Sequence, residues 1–370
     1  MSDTQEIYSD QHRQMDFCIS RPDNGEIASV NCESAQCVCY CHWPPDDVLQ
    51  QWHRLWSTAL DTSPFQSPLW QHATFLHRQL KRPRILCVYI ADKLIGILPL
   101  RISSDGDIEN PDPCITDYLN PLVHPDYQEL FWKAILNFLN ARWDDGVRRI
   151  QLHNLPATAD CRNWIPALAH QFGFQCMEET NYPVNCIELP DSWQGYLEKS
   201  MNAHQRKEIR RKLKNIANAG KVDWFTVDDK VISTEKIKAE LEISLALMEN
   251  ATGLKASDTA DTLRPLFQHC GVALIQAGAM HLKCLNINET PAARLLQFAT
   301  PKGPQAYNCG INPNFRQYSP GIIAFTMAIK DAIEQTQSNI YDLLRGGDVY
   351  KQRLGAVEQP TFRLVLVARR

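Results

Sequence analysis

Near its C-terminus the chain reads Tyr341-Asp342-Leu343-Leu344-Arg345-Gly346-Gly347-Asp348-Val349-Tyr350-Lys351, a carboxylate, paired glycines and an aromatic–lysine pair in one short stretch. A carboxylate at a strand end can take a proton from an attacking amine or hydroxyl, so Asp342 is a candidate general base. An Asp in that place can equally cap the glycine turn that follows or pair with Lys351. Gly346 and Gly347 let backbone approach a bound molecule. Tyr350 can stack on such a molecule or donate to it, and Lys351 can offer a cation to a developing oxyanion. The plainer reading of Lys351 is a surface lysine on a short helix.

A second candidate lies upstream, where Arg316-Gln317-Tyr318-Ser319-Pro320-Gly321 leads into the apolar run GIIAFTMAIKDAIEQ. Ser319 suits an N-cap and Pro320 the first helical position, which aims free backbone N–H groups and the positive end of the helix dipole at an anion such as pyrophosphate. An ordinary Ser-Pro helix start explains the same residues. Tyr307 and Tyr318 are candidates for a general acid or a substrate contact, and alternatively for core aromatics with a polar tip.

A third feature is cationic. Lys199, Arg206, Lys207, Arg210, Arg211, Lys212 and Lys214 stand against Glu208 alone, while Ile209, Leu213 and Ile216 fall at i, i+4, i+7 and mark one buried stripe. Like charges at i,i+4 oppose a helix by a few tenths of a kcal/mol each (roughly 0.2–0.5). Tolerating them points to a phosphate-bearing partner held by Arg206, Arg210 and Arg211: a nucleotide-sugar, a lipid-linked phosphate or tRNA. A solvated face is the alternative. The helix lacks the interleaved aromatics of single-stranded nucleic-acid binders, and a net charge of −4 argues against a protein that coats DNA.

These segments need a scaffold. At 370 residues, with 44% apolar and 22% charged residues, the chain is long enough for two ordinary globular domains. Residues 1–34 are polar, contain the turn-like Arg21-Pro22-Asp23-Asn24-Gly25 and read as a loose arm. No basic, apolar leader opens the sequence and no apolar run is long enough to cross a bilayer, so a cytoplasmic protein is expected. The 13 cysteines sit largely in apolar runs and read as reduced, buried thiols. Cys37, Cys39 and Cys41 alternate along one strand face, about 7 Å apart. That spacing does not converge on a metal as turn-forming pairs do, and no metal is expected.

Apolar periodicity predicts an alternating α/β order in residues 35–190 and again in 191–370. The first half reads as strand, two helices, hairpin, helix, strand, helix and strand. The second reads as one long basic helix from Trp193 to Ala219 capped by Gly220, then strand, two helices, three strands from VALIQ onward, helix and two strands. No G-x-S-x-G elbow, Walker loop, G-x-G-x-x-G or H-E-x-x-H occurs.

The blocks PFQSPLW, DYLNPLV and LPDSWQGYLEKSMNAHQRKEIRRKLK, and the run from Ala293 to Ala356, resemble the CelD/BcsL-type, FemAB-like branch of the GNAT acyltransferases over residues 40 to 360. Tyr307, Gly310, Pro320, Gly321, Asp342, Gly346, Tyr350 and Lys351 follow its signature in order. The RQYSPG turn is similar to the coenzyme A turn R/Q-x-x-G-x-G/A, with Ser319 in place of the first glycine. The resemblance implies a mixed α+β fold of two GNAT-like domains, each a mostly antiparallel sheet flanked by helices. It also implies acyl transfer to an amine or hydroxyl of an envelope or exopolysaccharide acceptor. Acyl-CoA is the implied donor, held by Arg316, Gln317, Tyr318, Ser319 and Gly321, with Gly346, Gly347 and Tyr307 near the substrate. Aminoacyl-tRNA is the alternative donor, and a non-catalytic scaffold in polysaccharide synthesis the alternative role.

Overall fold

The computed structural model describes residues 28–369 except 33, 60, 142–148, 229, 231–232, 250–259 and 348. The expected arm lies outside the described residues up to position 27. Within its last part, residues 28–32 form a strand rather than a loose segment.

The N-terminal unit contains β1 (Ala28–Cys32), β2 (Ala35–Tyr40), β3 (Pro83–Ile90), β4 (Lys93–Ile102), β5 (Ile108–Glu109), β6 (Leu122–Val123), β7 (Ile150–Pro156) and β8 (Phe174–Thr180). Alternation along β2 sends Cys37 and Cys39 to one face, onto the helix Gln128–Ala141 through Phe131, Trp132 and Ile135. Val38 and Tyr40 go to the other face, against Val48, Leu49, Trp52 and Leu55 of the helix Asp46–Thr58. Burial pushes the Cys37 thiol well up, which keeps it protonated and inert. Among the described residues no three metal-ligating side chains converge on a metal position.

The second unit contains β9 (Val184–Glu188), β10 (Val222–Val227), β11 (Met280–Ile287), β12 (Thr290–Phe298), β13 (Gln305–Ile311), β14 (Ile340–Arg345) and β15 (Val357–Gln359), and the chain returns through β16 (Thr361–Ala368). Strand membership does not follow an N- to C-terminal division at residue 190. β9 pairs with β14 and β15, and β16 is inserted between β7 and β8. The orders are β1-β2-β3-β4-β5-β7-β16-β8, with β6 beside β4, and β10-β11-β12-β13-β14-β9-β15. Among the described residues both sheets are mixed, with a single parallel pair in each: β5 with β7, and β13 with β14. The fold is therefore mixed α/β, two mostly antiparallel sheets flanked by helices.

Local chemistry explains the remaining departures from the expected elements. The basic segment is two helices, Trp193–Lys199 and Ala203–Ala217, because Asn202 and Gln205 form a capping box that starts a new helix. Its end is Asn218, not Gly220, whose φ of 139° serves a turn packed on Asn288. VALIQ closes the helix Ala260–Gln276 instead of opening a strand. An apolar run of that length is ambiguous by periodicity alone.

Phe65 and Trp70 of the first unit pack edge-on against Phe298 and Phe267 of the second, so the seam between the sheets is continuous core. Arg345 crosses the same seam, pairing with Asp117 and donating to the carbonyls of Pro113 (2.7 Å) and Cys114 (2.8 Å). No helix among the described residues is long and apolar enough to cross a membrane.

Candidate active site

β13 and β14 run parallel but share only one paired position, Gln305 with Asp342. Beyond it the strands have no paired residues, and β13 leads through the short turn Pro313–Tyr318 to the helix Pro320–Glu334. The result is a wedge whose two walls are main chain with unshared hydrogen-bonding edges, at the end of the sheet from which that helix starts.

Ser319 marks the start, but not as a side-chain cap. Its φ and ψ of 55° and 52° are left-handed, and its hydroxyl accepts a hydrogen bond from Lys212 Nζ at 2.7 Å instead of one from the helix. A residue with a Cβ holds this conformation at about 1 kcal/mol above glycine, which is where the resembling motif has its first glycine. Ile323 N–H donates to Ser319 O, so the N–H groups of Gly321 and Ile322 precede the first helical bond. Gly321 packs against β13, where an added Cβ would lie 3.2 Å from Ile311 Cγ2. Arg316 and Gln317 are exposed beside it, and Tyr318 packs partly under the turn. A helix N-terminus, a cation anchored at its first residue and a glycine in close approach are together the features of an anion site.

Asp342 lies on the face of β14 opposite Tyr341 and Leu343, turned toward the first unit, and is 7% exposed. Its Oδ2 accepts from the Tyr118 hydroxyl at 2.7 Å and its Oδ1 from Leu344 N–H at 2.7 Å. The second bond is possible because β14 bulges here, with Leu344 at a φ of 56°. Burial raises the Asp342 carboxyl to about 6, with the Tyr118 and Leu344 hydrogen bonds pulling the other way. Burial also pushes up the Tyr118 phenol and the neighbouring Cys186 thiol.

The carboxylate opens on a pocket of about 140 Å³ between the two units, walled in part by Thr62, Gln66, Tyr118, Cys186 and Gln305. At its margin Lys302 Nζ of one unit pairs with Asp61 Oδ1 of the other at 2.6 Å. Sequence reasoning reached Asp342 and missed Tyr118, Cys186 and Gln305. Tyr118 sits in DYLNPLV, 224 residues away, and nothing in local spacing pairs the two.

Other expected site residues are placed differently. Lys351 is 2% exposed on the short helix Val349–Arg353, and its Nζ donates to the carbonyls of Leu344 (3.2 Å) and Arg345, which fasten the bulge that shapes Asp342. These contacts turn the ammonium onto main chain, so they support neither a surface lysine nor a group aimed at an oxyanion. Tyr350 stacks on Phe325 at 5.2 Å, away from the pocket. Tyr307 is spent in the seam, its hydroxyl donating to Ile115 O at 2.8 Å and its ring packed on Phe65, Trp70, Phe267 and Phe298. Arg206 donates to Met201 O at 2.6 Å and Leu197 O at 3.4 Å, closing the end of the preceding helix. Arg210 and Arg211 point to solvent. Gly346, with a φ of 117°, offers its carbonyl to Asn185 Nδ2 at 2.9 Å, and Gly347 is exposed with open space around it.

Residues 203–352 match the family model of an acetyltransferase (GNAT) domain. No curated protein matches the chain in sequence. In structure it is similar to the C-terminal domain (DUF2156) of a putative lysylphosphatidylglycerol synthetase from Agrobacterium fabrum. That match has 8% identity, 86% of this chain and 91% of that one covered, and a TM-score of 0.55. It is also similar to FemX, with 11% identity, 87% and 96% covered and a TM-score of 0.57. A conserved protein of unknown function from Bacteroides thetaiotaomicron VPI-5482 gives 10% identity, 86% and 97% covered and a TM-score of 0.58. At these identities the likeness is one of fold. Over residues 203–352 the chain carries a GNAT-like domain, and acyl transfer in general is the chemistry such a domain supports.

Proposed function

We propose that the protein is an acyltransferase of the GNAT type, taking an acyl group from acyl-CoA and passing it to an amine or hydroxyl of a small acceptor held between the two units. The observation that carries this reading is the junction of two features at one strand pair. The wedge between β13 and β14 leads toward the helix start at Ser319, and the one paired position closing it, Gln305 with Asp342, borders the seam pocket. A donor seated along the wedge and an acceptor seated in the pocket would meet at that position.

In this reading Gly321, Ile322 and Lys212 at the helix start, with Arg316, Gln317 and Tyr318 beside it, hold the phosphates. The donor supplies an activated acyl carbon as its thioester. Asp342 removes the proton from the attacking nitrogen or oxygen as that atom bonds the acyl carbon; the C–S bond breaks, and the coenzyme departs as a thiolate that takes a proton to leave as the thiol. A carboxyl raised to about 6 is still ionised at neutral pH and is a stronger base than an exposed aspartate. Tyr118 fixes one carboxylate oxygen and Leu344 N–H the other, so the base is held in one orientation. Lys351 positions it by fastening the bulge. The seam aromatics keep bulk water from the opposite side of the strand, which limits hydrolysis.

An aminoacyl ester in place of the thioester is the second reading, favoured by the serine at the left-handed position where the coenzyme A turn has glycine. An acceptor from the cell envelope or an exopolysaccharide, and the CelD/BcsL-type branch within the superfamily, agree with the sequence resemblance. The test is thiol release from acetyl-CoA by the full chain across a panel of amino sugars, amino alcohols and polyols. Acceptor-dependent release abolished by Asp342→Asn supports the proposal; release with no member of the panel, together with no binding of acetyl-CoA, overturns it.

A further inference from the structure

Gln305 is the residue of β13 that pairs with Asp342 of β14, whose N–H donates to Pro304 O at 2.9 Å. Ala306 packs with Tyr341 and Leu343 on one face of the sheet. Alternation therefore turns Gln305 and Asp342 to the other face, side by side on strands about 4.8 Å apart, and both line the seam pocket. Gln305 is 9% exposed, and its Oε1 is buried with no hydrogen-bond partner among the described residues.

Other polar groups of the same wall are satisfied from within. Gln66 Nε2 donates to Tyr118 O at 2.9 Å, Thr62 Oγ1 to Ala59 O at 3.3 Å and Thr300 Oγ1 to Gly303 O at 2.7 Å. An amide oxygen left unmatched in the interior weakens the fold, and the partner it lacks is one that a bound molecule can bring. Charge narrows what that molecule is. Among the described residues of the wall the cation is Lys302, already paired with Asp61, so the formal charge left facing the pocket is the Asp342 carboxylate. A phosphate or carboxylate placed there would meet that charge with no free cation to offset it.

We propose that Gln305 anchors the acceptor: its Oε1 accepts a hydrogen bond from the acceptor while Asp342 takes the proton of the attacking atom. This assignment rests on the acyl-transfer reading above and sharpens it. Two accepting groups side by side ask for two donated hydrogens at the reacting end of the acceptor, on a group that is uncharged or cationic. A primary amine supplies both from one nitrogen, and an amine or hydroxyl beside a second hydroxyl supplies them from neighbouring atoms. A lone hydroxyl supplies one and leaves Oε1 unmatched.

The experiment pairs thermal melts of the free full chain with thiol release from acetyl-CoA, for the wild type and Gln305→Met, using glucosamine, cyclohexylamine and cyclohexanol as acceptor probes. The wild type is expected to use glucosamine and to reject cyclohexanol. Use of cyclohexylamine as well assigns both hydrogens to the nitrogen; its rejection assigns one to a neighbouring hydroxyl. Gln305→Met lacks the accepting oxygen and should raise the KM for glucosamine about tenfold or more, while the KM for acetyl-CoA stays within about twofold. In the free protein the same variant should melt about 1–4 °C higher, because it removes an unmatched buried group. A lower melt means that Oε1 is already satisfied in the free protein and overturns the proposal. So does a glucosamine KM indifferent to Gln305→Met, or cyclohexanol turned over as readily as glucosamine. No turnover with any probe counts against the acyl-transfer reading instead, and the melt, which needs no ligand, then decides for Gln305.

Discussion

The Tyr118 hydroxyl lies 2.7 Å from Asp342 Oδ2, and with the bonds of Arg345 to Asp117, Pro113 and Cys114 this hydrogen bond joins a loop of the first unit to the bulged strand of the second. The Tyr118 bond favours the charged form of the carboxyl that burial disfavours, so the two units together set the basicity of the group at the floor of their shared pocket.

Removing the hydroxyl should therefore make the carboxyl easier to protonate. With Asp342 as base, the rate of acyl transfer rises with pH through about 6 and levels off above it. Tyr118→Phe is expected to move that limb upward by about one unit while the plateau changes little. A limb that stays in place would detach Tyr118 from the base.

Asp342→Asn separates function from stability. The folded carboxyl titrates at about 6 against an ordinary 3.8. Folding thus favours the protonated form: the cost of burying the charge is absent below the unfolded value, grows as pH rises between the two, and is complete above the folded value. About two units correspond to roughly 3 kcal/mol at most. The variant is expected to lose about a hundredfold or more in kcat/KM, and to melt higher than wild type at pH near 8, with the gap closing toward pH near 4. Thermal melts across that range check the sign.

Lys351→Met should act on the fold before the chemistry. It leaves the Leu344 and Arg345 carbonyls without their buried donor, for an expected loss of about 2–4 kcal/mol in urea unfolding. Activity per folded molecule should fall less than about tenfold. An unaltered unfolding curve with activity gone would return Lys351 to direct contact with substrate.

At Ser319 two opposing effects meet. Glycine relieves the left-handed backbone but loses the hydroxyl that holds Lys212, so Ser319→Gly should stay within about 1 kcal/mol of wild type. A β-branched residue resists this conformation strongly. Ser319→Val is expected to cost about 1–3 kcal/mol and to weaken acetyl-CoA binding; denaturation and binding measurements on both variants check this.

The periodic elements were legible in the sequence because apolar spacing alone marks them: Val48 to Leu55, the hairpin around Asp92, and the helix after Pro320 all fall as the pattern dictates. The exchange of β9 and β16 between sheets was not legible, since a strand's own residues specify its faces and not its neighbours. The same limit hid Tyr118, whose meaning depends on a partner in the other unit. It also left Lys351 open between an oxyanion donor and a surface lysine, and Tyr307 between a substrate contact and a core aromatic; both have polar tips that the fold satisfies internally. Ser319 was found for its composition, but the left-handed backbone behind it follows from packing of the turn and not from the Ser-Pro pair.

Isothermal titration of the full chain with acetyl-CoA, repeated with Gly321→Val, tests most directly whether the wedge and the helix start form a donor site. Saturable binding to the wild type, weakened at least about tenfold in a variant that places a side chain against Ile311, is the expected result. No heat at about millimolar acetyl-CoA, or binding indifferent to Gly321→Val, would contradict it.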